Sequence, residues 1–271
     1  MGFPRAGRRA VLSLVFAGCG GSAPAVVPIN DEPVSDAGVA DAATADAASV
    51  RALFDGATIA GWDRWLGTPY QATAPLGLAN DPHGVFSVTT IDGEPAIHIT
   101  GETFGALVSK DEYGDFDLRL EYKWGARVWP PLNGKDSGVM VLSTGAFGAV
   151  NAGGDALSDP AGSGGFMVSV EFQIASGDIG GLYNLGPITI NAGARTQVAE
   201  IPDAWNAVRI VVHGAASEHY LNGQLVTRAS GYALHLPGQA TVPLTRGKIQ
   251  LQSEGGEIYF RHVEVRDSNQ P

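Results

Sequence analysis

Between Phe116 and Trp124 the chain alternates without a break. Phe116, Leu118, Leu120, Tyr122 and Trp124 are apolar or aromatic, and Asp117, Arg119, Glu121 and Lys123 stand between them. A period of two is that of a β-strand buried on one face. Ser169–Ile174 repeats the pattern in miniature, with Val170, Phe172 and Ile174 on one face and Glu171 and Gln173 on the other. Such a strand keeps its back in a core and can line a polar cleft with its front.

Shorter apolar runs surround these two. Val85–Val88, Ala96–Ile99 and Ala106–Ser109 precede the long alternation, and Gly138–Ser143 and Phe166–Ile174 follow it. Ile188–Ile190, Ala207–His213, Glu218–Leu221, Gln224–Thr227, Lys248–Gln252 and Glu257–Arg266 complete the set. Asn222-Gly223 between two of them is a hairpin signal, because both residues tolerate positive φ. In the last run Ile258 and Phe260 share a parity that Val263 and Val265 reverse, which predicts a β-bulge near Arg261-His262. No helical period persists beyond a turn or two, so the expected architecture is all-β, a single two-sheet sandwich. Gly145–Gly165, rich in Gly, Ala and Asp, reads as a long loop of the kind that is either functional or disordered.

The first 49 residues follow other rules. Arg5, Arg8 and Arg9 precede the apolar run Ala10–Phe16, which ends in Ala17-Gly18-Cys19. A basic n-region, a short h-region and small residues at a cut site read as an export signal, too short to span a membrane. The segment resembles a bacterial lipoprotein signal over 1–18, with Cys19 as the lipidated residue. Arg8-Arg9 leaves a twin-arginine route open, and an ordinary cleaved signal is the alternative. The expected location is the cell envelope, with the membrane reached only through the lipid anchor. Residues 19–49 are rich in Ala and Asp without an aromatic residue, and have too little apolar surface to offset the entropy of ordering, so they read as a tether. The sandwich domain is then 50–268.

Charge and cysteine content narrow the function. The net charge is −11; without the three arginines and five acidic residues of the leader and tether, 14 basic and 23 acidic residues remain. That balance repels phosphate backbones, and no basic stripe is present, so nucleic acid is excluded as a partner. Cys19 is the only cysteine, which excludes an internal disulfide. The glycine-rich stretches lack a strand–GxGxxG–helix context, so no nucleotide cofactor is implied. His213, Glu218 and His219 lack the spacing of a zinc site and no Asp-rich calcium loop is present, so the sequence requires no cofactor and a divalent metal has no support.

Seven motifs in order carry a resemblance. They are Leu53-Phe54-Asp55-Gly56 with Gly61-Trp62; Lys110–Phe116; Glu121–Gly125; Asp136-Ser137-Gly138-Val139; Glu171-Phe172-Gln173-Ile174; Trp205-Asn206 with His219–Gly223; and Leu251-Gln252-Ser253-Glu254-Gly255. Over about Arg51 to Asp267 the chain resembles the 3-keto-disaccharide hydrolase family. The resemblance implies a concanavalin A-like jelly roll of two curved antiparallel sheets, and action on glycosides whose C3 hydroxyl has been oxidised to a ketone. Two positions depart from related sequences. A histidine often follows the Asp-Ser-Gly strand, where this chain has Ser143-Thr144. A second acid often follows the Glu-x-Gln strand, where it reads Gly177-Asp178-Ile179-Gly180-Gly181.

A C3 ketone acidifies the C2 proton, so the C1 substituent can leave by elimination and water can add back. That chemistry needs a base near C2, an acid or water relay at the glycosidic oxygen and a donor for the enolate. Glu171 is the expected base and Lys110 the expected cation for the enolate. Gln173, Asp136, Tyr183, Gln252 and Glu254 are candidate hydroxyl partners, and Trp129 a candidate stacking platform. Two other classes stay open. One is a non-catalytic carbohydrate-binding module on the same fold. The other is a retaining glycosidase, which needs two carboxylates about 5 Å apart, and Gln173 stands where its middle acid would be.

Overall fold

The computed structural model describes residues 50–151, 154 and 164–267. The leader, Cys19 and the tether lie outside the described residues, as does the middle of the Gly145–Gly165 loop. The described residues contain strands and turns and no helix, in two antiparallel sheets.

The larger sheet runs in the order β11 (Ile188–Ala192), β14 (Gln224–Leu234), β13 (Ala216–Leu221), β12 (Asn206–His213), β7 (Phe116–Val128), β17 (Gly256–Asp267), β5 (Glu94–Ile99) and β4 (Phe86–Ile91). Two short strands extend it, β1 (Val50–Ala52) on β17 and β15 (Val242–Pro243) on β14. The smaller sheet runs β10 (Leu182–Leu185), β9 (Val168–Ala175), β8 (Asp136–Thr144), β16 (Lys248–Ser253), β6 (Gly105–Ser109), β2 (Trp62–Leu66) and β3 (Gly77–Leu78).

The alternation decides the packing. Phe116, Leu118, Leu120 and Tyr122 of β7 are buried, and so are Val170, Phe172 and Ile174 of β9. They belong to one core between the sheets. The Phe172 ring stacks on His219 of β13 at 5.8 Å and 2°, which joins the two layers directly. Asn222 and Gly223 take φ of 49° and 77° in the β13–β14 turn, the primed hairpin their sequence predicts. The β17 bulge falls where the parity reverses: the register shifts between Arg261 and Glu264, and His262 has φ of 50°.

Three features go beyond the sequence pattern. β10, β2 and β3 are short strands outside the predicted set, and β10 sets one side of the site described below. The ends of the Gly145–Gly165 loop do not stand off in solvent. Phe147 stacks on Trp65 at 5.7 Å, the Trp65 Nε1–H donates to the Gly164 carbonyl at 2.9 Å, and Val150 bridges Phe166. These contacts cover part of the outer face of the smaller sheet, so Met140, Ser169 and Gln250 on that face are fully buried. Beyond this cover the outer face opens as a small polar cavity.

Candidate functional site

Asp136, Gly138 and Gln173 show why β8 and β9 carry a site. Gly138 lies opposite Gln173, and Leu251 of β16 lies opposite the neighbouring Val139. Side chains from β9 and β16 therefore meet over Gly138. A Cβ on Gly138 would stand 2.3 Å from Glu171 Oε1 and 3.0 Å from Gln252 Oε1, so only glycine leaves room for both. Ser137 points the other way and donates to the Gln252 carbonyl at 2.9 Å, locking β16 onto β8. Asp136 accepts a hydrogen bond from Gln173 Nε2 at 3.0 Å. The Asp-Ser-Gly motif thus supplies an orienting carboxylate, a strand clamp and an open floor.

Above this floor lies a cavity of about 220 Å³ whose polar lining is Asp136, Glu171, Gln173, Tyr183, Asn184 and Glu254. Glu171 is only 5% exposed, and its Oε1 has no hydrogen-bond partner. Gln173 Oε1 and Gln252 Oε1 are also buried without a donor. An unsatisfied buried acceptor costs about 1–3 kcal/mol, so three at one place mark a site that waits for donors. A larger hollow of about 540 Å³ on the outer face of the ten-stranded sheet, bordered by Val211, Glu218 and Arg228, has no such atoms in its lining.

The electrostatics of the cavity follow from burial. Desolvation raises Glu171 to about 8; the charges of Asp136 and Asp178 add to the rise, and a hydrogen bond from the Gln252 side chain opposes it. Burial also lifts Asp136 to about 6, against the Ser137 N–H and Gln173 that stabilise its anion. Glu254 is raised well above the usual carboxylate range by burial and then by the charges of Glu171 and Asp136, with no hydrogen bond to offset them. Burial thus holds all three carboxyls above their ordinary range.

β10 closes the far side. Tyr183 lies directly opposite Glu171 and is 47% exposed. Its hydroxyl donates to Asp178 Oδ2 at 2.6 Å, and Arg195 pairs with the same carboxylate. Burial pulls Asp178 up, but these two partners outweigh it and hold it below its ordinary range. An acid does follow the Glu-x-Gln strand, therefore, and its charge reaches Glu171. Asp178, Arg195 and Asn184 were not among the expected site residues. The only sequence signal for them is the Gly177–Gly181 turn that ends β9.

Of the expected residues, Glu171, Gln173, Asp136, Tyr183 and Glu254 come together at the cavity, and Gln252 packs beside Glu171 beneath it. Lys110 does not. It follows Ser109 at the end of β6 away from Gly105, and it is Gly105 that pairs with Ser253 beside the site. Four strand residues at about 3.4 Å each separate the two ends; Lys110 is exposed, and its carbonyl is tied to Lys248 Nζ at 2.8 Å. Trp129 does not line the cavity either. Its backbone N–H donates to the Gly255 carbonyl at 2.7 Å, so it braces the turn beyond Glu254. His219 lies away from the cavity, in the core between the sheets, where it is fully buried, bonded to Ser217 Oγ at 2.6 Å and lowered to about 3 by desolvation. Among the described residues no group of three or more His, Cys, Asp or Glu is arranged to hold a metal ion.

Several solved structures resemble parts of the chain. A protein from Parabacteroides distasonis ATCC 8503, provisionally described as a glycosyl hydrolase, is 18% identical with a TM-score of 0.49, over 81% of this chain and 94% of its own. A second from the same strain, with the same provisional description, is 24% identical with a TM-score of 0.44, over 69% and 92%. The carbohydrate-binding module CBM66 from Bacillus subtilis is 10% identical with a TM-score of 0.40, over 67% and 91%. At these levels the likenesses say nothing of the chemistry. No protein of curated function matches the chain. The sequence itself matches the 3-keto-α-glucoside-1,2-lyase-like domain over residues 49–266, nearly the whole of the described sandwich, and the chain belongs to that carbohydrate-active family.

Proposed function

We propose that the protein cleaves 3-keto-glycosides by elimination, with Glu171 as the base. The observation that carries this is the Glu171 carboxyl: buried, unpartnered at Oε1 and facing a polar cavity beside a second buried carboxyl. A base raised to about 8 is a stronger proton acceptor than an ordinary carboxylate, yet is still partly ionised near neutral pH.

The order of groups across the sheet matches the order of atoms in the substrate. Glu254 follows β16, Glu171 stands on β9, and Tyr183 stands beyond it on β10. With the C3 oxygen toward Glu254, C2 lies at Glu171 and the C1 substituent points to Tyr183. The ionised Glu171 takes the C2 proton, and the electron pair moves onto the C3 oxygen. The neutral carboxylic acid of Glu254 donates a hydrogen bond to that enolate, the role a raised carboxyl can fill at neutral pH. The enolate then re-forms the ketone, C1=C2 forms, and the C1–O bond breaks. The departing oxygen takes a proton from water at the exposed rim beside Tyr183. Addition of water across C1=C2 completes net hydrolysis. Gln173 and Gln252 offer carbonyl oxygens to sugar hydroxyls.

Turnover of a 3-keto-glucoside beside the unoxidised sugar tests this. Activity should be confined to the keto sugar, and Glu171→Gln should lower kcat by ~10²–10⁴, the usual share of a positioned base. Equal turnover by wild type and Glu171→Gln would remove Glu171 from the chemistry. The three unpartnered acceptors would serve a non-catalytic sugar-binding module equally well, and that reading predicts binding of the unoxidised sugar with no turnover of the keto form. Export and lipidation at Cys19 belong to the same proposal, and rest on the basic and apolar leader alone.

A further inference from the structure

The cavity beside Gly138 lacks a positive charge. Its lining holds three carboxyls, those of Asp136, Glu171 and Glu254, and no Lys, Arg or His. The hydrogen bonds that reach them come from neutral groups. Asp136 accepts from the Gln173 amide and the Ser137 N–H, Glu171 accepts from Gln252, and no hydrogen bond lowers Glu254. The ten-stranded sheet treats its carboxylates differently: Asp117 pairs with Arg119 and Arg209, Glu121 with Arg261, and Glu218 with Arg228. We infer that the substrate itself brings the missing counter-charge, as an amino sugar whose protonated amine pairs with Asp136. The need for a cation rests on the cavity, and the place of the amine on the ring rests on the proposed elimination.

Two cations belong to neighbouring segments, and both are used. The ammonium of Lys135 stands over the Trp124 ring at 5.8 Å, and Arg195 pairs with Asp178. The site is short of donors as well as of charge. Gln252 is 1% exposed, its Oε1 has no donor, and it lies with Glu171 Oε1 against one point above Gly138. A sugar hydroxyl can supply a hydrogen bond there but leaves the charge unbalanced, and an unpaired buried charge is the costlier defect. An ammonium supplies three N–H donors and the charge together.

Asp136 is the carboxyl that the elimination leaves over. Glu171 takes the C2 proton and Glu254 meets the C3 oxygen as a neutral acid, so neither can hold a cation throughout the reaction. Asp136 rises only to about 6 and is ionised near neutral pH. Its Oδ1 accepts from Gln173, and a carboxylate has further lone pairs for an ammonium. C1, C2 and C3 are engaged in the reaction, which leaves C4 and C6 for the amine. A metal ion is the other source of positive charge, but among the described residues no three His, Cys, Asp or Glu are arranged to hold one. An ammonium needs no such fixed geometry.

Calorimetry near neutral pH tests this with unoxidised sugars: methyl α-glucoside, its 4-amino-4-deoxy and 6-amino-6-deoxy analogues, and the N-acetyl form of each amine. One amine should bind wild type about tenfold or more tighter than both its N-acetyl form and the parent sugar, the least that a hydrogen bond to a charged group returns. In Asp136→Asn that ratio should collapse towards one, with an unchanged far-UV circular dichroism spectrum. Equal affinities in wild type, or a preference that survives Asp136→Asn, would overturn the inference. So would binding of Mg²⁺ or Ca²⁺ that Asp136→Asn removes, because the counter-charge would then be a metal ion. Turnover of the 3-keto forms separates the pairing from the elimination. A preference for the amine that Asp136→Asn abolishes, without turnover of any keto sugar, upholds the pairing and sinks the chemistry. Turnover of methyl 3-keto-α-glucoside without that preference does the reverse, and neither preference nor turnover overturns both.

Discussion

Gly138 and Glu171 fit together as floor and base: a methyl group on the glycine would occupy a point 2.3 Å from Glu171 Oε1. The separation is far below van der Waals contact, so one of the two must move. β8 is paired on both sides, by β9 and by β16, and its backbone has little freedom to give way. The carboxyl yields.

Gly138→Ala should therefore displace Glu171 and Gln252 together while the sandwich persists. Overpacking of this kind costs about 1–3 kcal/mol, a loss that thermal unfolding would register as a lowered Tm with an unchanged far-UV circular dichroism spectrum. Turnover of the keto sugar should fall by about 10² or more, because misplacement by an ångström is enough for that. Full activity in Gly138→Ala would show that the carboxyl position is not critical.

The pH profile should carry the mark of Asp136. The Glu171 base must be ionised, so kcat/KM should rise with pH through about 8. Part of that high value comes from the negative charge on Asp136. Asp136→Asn removes the charge, lowers the Glu171 value and moves the rise to lower pH, while Asn keeps an oxygen for Gln173 Nε2. A profile that stays in place would mean that another group sets it.

The leader predicts a modification of its own. Cys19→Ala should abolish acylation and release the protein from the membrane fraction. Mass spectrometry of an exported wild type with an unmodified cysteine would leave secretion without an anchor.

Much of this was written in the side-chain pattern, and the exceptions have physical causes. Strands buried on one face announce themselves, so β7, β9 and the reversed parity of β17 could be read directly. The parity of β9 also set Glu171 apart from Phe172. Its burial could not be read, because its neighbour across the sheet is Tyr183, from a four-residue strand too short to show a period. Short strands at sheet edges lack enough alternating positions to show a period. Lys110 illustrates a different gap. A motif places a residue in a line, but the direction of β6 carries it away from the site. Asp178 has no strand parity at all, being in a turn, and only Tyr183 and Arg195 reveal its use.

The carboxyls should also leave a trace in stability. Glu171 and Glu254 are both raised on folding, which means that the folded protein holds their protons more tightly than the unfolded chain does. Below the unfolded carboxylate value both states are protonated, and the full stability is present. As pH rises from there towards about 8, the unfolded chain loses the Glu171 proton first and stability declines. Above about 8 the Glu171 contribution to the decline ends, because both states are then ionised. The total loss tied to this residue is on the order of a few kcal/mol. Glu171→Gln cannot ionise, so its denaturation midpoint should stay flatter between pH 5 and 8, about the window in which wild type weakens. At pH 8 the variant should be the more stable protein, although it has lost the base. Parallel pH dependence in the two would show that Glu171 is not the strained carboxyl, and Glu254→Gln would then be the variant to follow.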